Sequence, residues 1–450
     1  MAPAPVTFAP GGECIHPLPS WPSGSECNPP LPPTPTPPPH SPSNWWQNSR
    51  LPYGAMLLAG DFDCMRVVLD YMENMAVFLR QRTLAYWNHT GMWTTETHHL
   101  TGAYDQLDYG CSGREGWPVW LMQSGYLKVD WGGNSGTGEY ALMALDYYSW
   151  TGDAAYLPLA FSAADFLSQH FANRSAEGRV VVWPAQILES YWCDYSPSQG
   201  AFTSACCAND TPTVSAMLSL FPRLLALPAA LTTPAQRAAW GAFSAILPPL
   251  PLSPDGTTIL PAGAVSNGGH NREGPELYVA HPHRLITKGR ATVEPSTSLS
   301  AAVHTLHALP WYSGDDTWSY GLNDAVLLGE TAFATAILAQ KAAAGPPAGY
   351  RFPGYAPSTG DYDPSAEYYV NMNRALQEML LQSGEDGYQA TSLVLFPAWD
   401  CAWDVSAKLW GPLNTTVEIE YAGGVLQSLV VTPAARLAQV KWAACVNQIS

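Results

Sequence analysis

The segment Gly138-Glu-Tyr-Ala-Leu-Met-Ala-Leu-Asp-Tyr-Tyr-Ser-Trp150 is followed by Thr151-Gly-Asp153 and then by Ala154-Ala-Tyr-Leu-Pro-Leu-Ala-Phe-Ser-Ala-Ala-Asp-Phe-Leu-Ser-Gln-His-Phe171. It reads as two apolar helices joined by a short Gly-containing turn, which is a helical hairpin. The same text recurs on both sides. Asp63–Arg82 carries Met65, Val68, Leu69, Met72, Met75 and Leu79 at helical spacing. Asp210-Thr-Pro212 starts another helix with Pro near its first position, and Thr233-Pro234 repeats that signature ahead of Ala235–Leu247. Further helices are expected at Ser296–Leu309, Asn323–Leu328, Glu330–Ala344 and Asn371–Ser383. Many apolar helices in pairs give a mainly α fold of packed hairpins. Their spacing is too irregular for a solenoid.

The pattern changes near Gln389. Thr416–Tyr421 alternates around Val417, Ile419 and Tyr421, Gly423-Gly424 turns the chain, and Val425–Val431 returns. That is a β-hairpin. Residues 1–44 are Pro-rich and should form an extended linker, with polyproline II over 29–39. The expected division is therefore a Pro-rich linker at 1–44, a helical catalytic-type domain at 45–389 and a small, partial C-terminal β-domain at 390–450.

Composition narrows the function. The 450 residues carry a net charge of −17, only 13 % are charged, and no basic run occurs. Nucleic acid and anionic membranes need clustered Lys and Arg, so neither is an expected partner. No run of 18 apolar residues suggests a membrane span. The 18 Trp and 22 Tyr suit core filling, and a fraction of them suits stacking on pyranose faces. Nine scattered Cys and the sequons at Asn88, Asn173, Asn209 and Asn414 fit one to four disulfides and the secretory pathway. The N-terminus shows no signal peptide, and the expectation is a truncated start.

Several motifs fail on context. Gly136-x-Gly138-x-x-Ala141 lacks the preceding strand of a dinucleotide loop. His281-Pro-His283 and His304-x-x-His307 lack an obvious third metal ligand. No metal and no cofactor is expected.

Five acid-bearing or amide-bearing segments sit among aromatics, Pro and Gly, where loops rim pockets. They are Trp45-Trp-Gln-Asn48-Ser-Arg50, Gly91-Met-Trp-Thr-Thr-Glu96, Trp183-Pro-Ala-Gln186-Ile-Leu-Glu189-Ser-Tyr-Trp192, Asn271-Arg-Glu273-Gly-Pro-Glu276-Leu-Tyr278-Val-Ala-His281-Pro282, and Pro364-Ser-Ala-Glu367-Tyr-Tyr-Val-Asn371. Cleavage of a glycosidic bond needs one carboxyl group as acid and a second as base or nucleophile. Each segment also has a plainer use as a helix cap or a hydrogen-bonded core acid.

Together these segments resemble, distantly and over residues 45–440, the family 95 glycoside hydrolases. Arg272, Leu277, Tyr278 and Pro282 agree with that family's H-R-H-x-S-H-L-Y-x-L-Y-P signature, whereas its three His positions read Asn271, Glu273 and Glu276. Ala375-Leu-Gln-Glu378-Met-Leu-Leu-Gln-Ser383 resembles a further family helix, and counting back from Glu378 sets Glu367 at the place of the base. Phe396–Asp400 and Leu429–Pro433 resemble the start of the family's β-domain. The resemblance implies an (α/α)6 toroid followed by a small C-terminal β-sheet domain. It also implies inverting hydrolysis of a non-reducing-end α-L-fucoside or galactoside in cell-wall or extracellular glycans. Glu189 would be the acid, Glu367 the base, and Asn48, with Gln47, would hold the water. Arg50, Glu96, Trp192, Arg272, Glu273 and Glu276 would bind sugar. One of the family's two water-activating Asn is replaced here by Trp46. Two other readings follow from the departures and the layout: a catalytically silent glycan-binding relative, and a polysaccharide lyase.

Overall fold

The computed structural model describes residues 43–46, 50–94, 97–99, 136–185, 187, 191, 195–196, 198–202, 204–265, 274–293, 297–309, 320–343, 366–384 and 392–445; at 43–45, 86, 97–99, 195, 297, 366–368 and 384 it describes the backbone alone. Short strands β1 (Ser43–Trp45) and β2 (Thr97–His99) pair antiparallel. The helices are α1 (Leu51–Ala59), α2 (Phe62–Trp87), α3 (Gly136–Thr151), α4 (Leu157–His170), α5 (Thr211–Ala226), α6 (Pro234–Ser244), α7 (Lys288–Val293), α8 (Thr297–Ala308), α9 (Gly321–Leu328), α10 (Thr331–Ala343) and α11 (Ala366–Leu380). A 3-10 turn spans Pro275–Val279.

Neighbour relations close these elements into a ring. α1 touches α3, α3 touches α5, and α5 touches the 3-10 turn. The backbone N–H just past that turn, at His281, donates to Asp324 of α9 at 3.1 Å. α9 touches α11, and α11 returns to α1. Five of the six inner elements are followed by a helix of an outer layer, α2 after α1, α4 after α3, α6 after α5, α8 after the 3-10 turn and α10 after α9, while α11 runs on into a strand at Leu381–Gly384. Within that layer α2 packs on α4 and α4 on α6. Side chains at the starts of α1, α3, the 3-10 turn and α9 bond one another, as do Asn323 of α9 and Asn371 of α11, so these inner elements run in one direction. This is the expected (α/α)6 arrangement, with one inner helix reduced to a 3-10 turn.

Local chemistry explains the boundaries. α3 is buried along nearly its whole length, which is why its text is apolar all round. α4 begins at Leu157-Pro158 rather than at Ala154, because Pro is most readily placed in a first helical turn. Thr233 and Gln236 form a capping box at the start of α6. Asp210 caps α5 by accepting the N–H of Thr213 at 2.8 Å.

Five short strands, β3 (Tyr195–Ser196) to β6 (Ala262–Ala264) and β7 (Leu381–Gly384), accompany the helices, with β4 at Ala201–Phe202 and β5 at Ala208–Asp210. The helix expected over Asn371–Ser383 stops at Leu380. Leu381–Gly384 instead pairs antiparallel with β8 (Ser392–Leu395), so a long-range ladder replaces the last helical turn. β9 (Val405–Gly411), β10 (Thr415–Ala422) and β11 (Val425–Thr432) form an antiparallel sheet in the order β11-β10-β9. Val417, Ile419 and Tyr421 of β10 point into the core, as the alternation required. β12 (Val440–Trp442) runs parallel to β8. Cys401 and Cys445 are bridged, and Cys64 and Cys206 are also in disulfides. Among the described residues, no helix is long and apolar enough to cross a membrane.

The core falls in two parts. One lies among α1 to α6. The other joins α8 to α11 with β8 to β11.

Candidate active site

Because the inner elements are parallel, their N-termini meet at one end of the ring. Buried polar residues collect there. Trp46 and Arg50 precede α1, Glu139 lies in the first turn of α3, Asp210 caps α5 and Glu276 opens the 3-10 turn. Tyr320 precedes α9, Asn323 and Asp324 lie in its first turn, and Asn371 follows on α11. Helix N-termini carry partial positive charge, which favours acids at these positions. The opposite end of the ring is apolar and is covered by the C-terminal sheet: Gly60 at the end of α1 lies against Trp410 of β9, and Leu413 and Asn414 donate to the carbonyls of Ser149 and Trp150 at the end of α3, each at 2.7 Å.

Arg50 ties the polar end together. Its guanidinium pairs with Glu139, donates to the hydroxyl of Tyr278 at 3.0 Å and donates to Tyr320 at 2.9 Å. It also lies over both phenol rings, 5.6 Å from the Tyr278 centroid and 4.9 Å from that of Tyr320. Trp46 Nε1 donates to the second Glu139 oxygen at 3.0 Å. One side chain therefore links α1, α3, the 3-10 turn and α9. Burial pushes the Glu139 carboxyl up, against the pull of Arg50 and Trp46. Removing one partner of so buried a pair costs about 3–5 kcal/mol, because the other charge is left uncompensated.

A second network runs deeper along α11. Glu378 is held between Arg284 at 2.9 Å and Arg374 at 3.2 Å. Arg374 also donates to His281 Nε2 at 2.6 Å. That imidazole is neutral: burial first, and the Arg374 charge second, hold it well below its usual range. Nε2 accepts, so the proton is on Nδ1. Asn323 donates to Asn371 across α9 and α11 at 2.9 Å. His283 Nδ1 lies 2.7 Å from Ser215 Oγ, so this His is committed to packing against α5.

Against this connected background, some buried atoms have no hydrogen-bond partner among the described residues. At the ring end these include Glu276 Oε2, Asp210 Oδ2, His281 Nδ1 and Asn323 Oδ1. Buried polar atoms are paired in the great majority of cases, so a concentration of exceptions marks where a polar ligand or water is received. Burial raises the Glu276 carboxyl to about 7 and that of Asp210 to about 6. Tyr191, half-buried, is pushed up to about 12 by burial and then by the neighbouring Glu276 charge. Trp183, 43 % exposed, stands edge-on to Phe202 at 5.5 Å in the segment that leads into α5.

Of the site residues read from the sequence, Arg50 and Glu276 stand at this end. Arg50 is 5 % exposed and its donors are engaged by the protein. The backbone of Glu367 lies in the first turn of α11. Gln47, Asn48, Glu96, Glu189, Trp192, Arg272 and Glu273 lie outside the described residues. Sequence reading passed over Glu139, Asn323, Asp324, Asn371 and Arg374. A signal was present at Glu139, the only acid of its apolar helix's first turn, and at Asn323-Asp324, a polar pair opening an apolar run.

No protein-family model matches the chain. No curated protein matches it either. Among solved structures, 20 chains match. One is described as "Putative kojibiose phosphorylase from human microbiome"; it has a TM-score of 0.47 and 9 % identity, with 87 % of this chain covered. The chain spans 56 % of the length of that protein.

Proposed function

We propose that this chain is a carbohydrate-active enzyme that hydrolyses a glycosidic bond at the polar end of the ring. One observation carries the reading. Carboxyls, amides and phenols from the inner elements converge at a single end, and Glu276, Asp210 and Asn323 there each keep a buried acceptor without a partner among the described residues. A neutral, hydroxyl-rich ligand suits those groups better than an anion does, since Arg50, Arg284 and Arg374 are already paired with acids. The finer proposal keeps the roles read from the sequence. Glu189, or a buried carboxyl at the polar end, protonates the leaving oxygen, Glu367 deprotonates the water, and Asn48 and Gln47 hold it. Glu96, Trp192, Arg272 and Glu273 bind the sugar, an α-L-fucoside or galactoside at a non-reducing end, with inversion. Disulfides at Cys401–Cys445, Cys64 and Cys206 support an oxidising compartment.

A glycan-binding protein without turnover is the second reading, and Trp46 favours it. This residue stands where the family in question has a water-activating Asn, yet it is 2 % exposed and its indole N–H is spent on Glu139. Sugar release from a panel of p-nitrophenyl α- and β-glycosides separates the two. Turnover by the wild type that is lost in Glu367→Gln is the expected result. Retained glycan binding with no turnover would move the protein to the second reading.

A further inference from the structure

We infer that Glu276 is the carboxylic acid that hands its proton to the departing glycosidic oxygen, a catalytic role rather than the sugar-binding one its place in the sequence implied. The inference rests on the hydrolase reading and deepens it.

The other buried acids of the inner elements are already committed. Both Glu139 oxygens are taken, by Arg50 and by Trp46. Glu378 sits in an ion pair with two guanidiniums. Asp324 accepts the His281 backbone N–H, and Asp210 caps α5 and is fully buried. Asp210 and Glu378 also keep one oxygen without a partner among the described residues, but Asp210 is 0 % exposed and spent on its cap and Glu378 is ion-paired, whereas Glu276 combines three properties. It has no salt-bridge partner among the described residues, it is 7 % exposed, and Oε2 has no hydrogen-bond partner among those residues. It is also rigidly mounted. Tyr278, two residues on in the same 3-10 turn, is bonded to Arg50, and the turn packs on α5. A proton donor needs a fixed carboxyl, a free oxygen and surroundings that keep it neutral. Burial, with no counter-charge among the described residues, supplies the last of these, raising the carboxyl to about 7. Tyr191 stands close enough to feel its charge.

The step balances as follows. The Glu276 O–H proton passes to the glycosidic oxygen while the C1–O bond breaks and leaves its electron pair on that oxygen. The leaving group departs as an alcohol. Water attacks C1 and gives its proton to the base, and solvent reprotonates the Glu276 carboxylate.

Acid catalysis matters only where the leaving group is poor. The test therefore compares the wild type, Glu276→Gln and Glu189→Gln on two series of the same sugars, glycosyl fluorides and methyl glycosides. For Glu276→Gln the expected result is a loss of roughly 10²–10⁴-fold on methyl glycosides. Its rate on fluorides should stay within about tenfold of the wild type, since fluoride needs little protonation to leave. Glu276→Asp, which keeps the acid but withdraws it, should show the same split in smaller measure and serves if the Gln variant does not fold. Equal losses on both series would overturn the assignment in favour of binding. The split appearing in Glu189→Gln instead would overturn it in favour of Glu189, and an unaltered Glu276→Gln would also overturn it. A wild type that turns over neither series overturns the hydrolase reading, and this assignment with it.

Discussion

At the scale of single residues, Glu276 makes stability and chemistry depend on pH together. Its carboxyl lies at about 7 in the folded chain and near 4.5 in an unfolded one. Between those values the native state holds a proton that the unfolded state has lost, so stability falls as pH rises. The contribution is fully present below pH 4.5 and is lost through pH 7, on the order of 3 kcal/mol. Titratable groups on the elements packed around it are Asp210 and Arg223 of α5, His283 past the turn, Tyr191 and Cys207 ahead of α5, and the exposed His304 and His307 of α8. Arg223 is paired with Asp146 at 2.6 Å, and burial pushes His283 down to about 3, so this His does not change charge near pH 7. Urea midpoints of wild type and Glu276→Gln at pH 4 and pH 8 measure the difference. The wild type should lose more than the variant by that amount, and parallel losses would mean that Glu276 titrates normally. Glu276 was legible in the sequence as an acid among Pro, Leu and Tyr. Its lack of a cation partner among the described residues was not legible, because that depends on Arg50 having been claimed by Glu139, a residue 89 positions away in the chain.

Elements were legible in proportion to how local their causes are. The hairpin of α3 and α4, the Pro-marked starts of α5 and α6 and the alternation of β10 all follow from neighbours a few residues apart. The end of α11 did not, because Leu381–Gly384 answers to β8 rather than to its own helical text. Nor did the shortening of one inner helix to Pro275–Val279, where Asn271–Pro282 gave only a polar segment between helices. A glycine shows where an element's end meets the rest of the fold. Gly60 terminates α1 with φ of +82°, and a Cβ there would lie 2.1 Å from Trp410 Nε1. Gly60→Ala therefore costs the left-handed backbone penalty, about 1 kcal/mol, plus displacement of the Trp410 indole that covers the ring. A combined loss of at least 2 kcal/mol in denaturant unfolding is expected, accompanied by a shift in tryptophan fluorescence. A loss below 0.5 kcal/mol would show that the α1–β9 contact is soft.

On the scale of the whole molecule, ring closure is what the sequence leaves unstated: α1 and α11 meet across about 300 residues, and no local pattern announces it. The closure has two chemically different ends. Helix N-termini, carboxyls and buried atoms without partners among the described residues occupy one end. The other is sealed by β9 and β10 against the C-terminal ends of α1 and α3. Leu409, Val417, Ile419, Tyr421 and Val431 of the sheet share one core with α9, α10 and α11, so the sheet is part of the ring's packing. This polarity predicts that stability and chemistry separate. The Cys401–Cys445 bridge closes a loop of 44 residues in the sheet region. In the chain-entropy account a loop of that length contributes about 4 kcal/mol. The double variant Cys401→Ser, Cys445→Ser should lose most of this in urea unfolding. Below its own transition it should still turn over whichever glycoside the panel identifies at the wild-type kcat, because the bridge lies on the covered side and the reacting groups on the other. If kcat fell in step with stability while the fold stayed intact by circular dichroism, the two ends would be coupled through the inner helices, and the sheet would have to be counted among the parts that position Glu276.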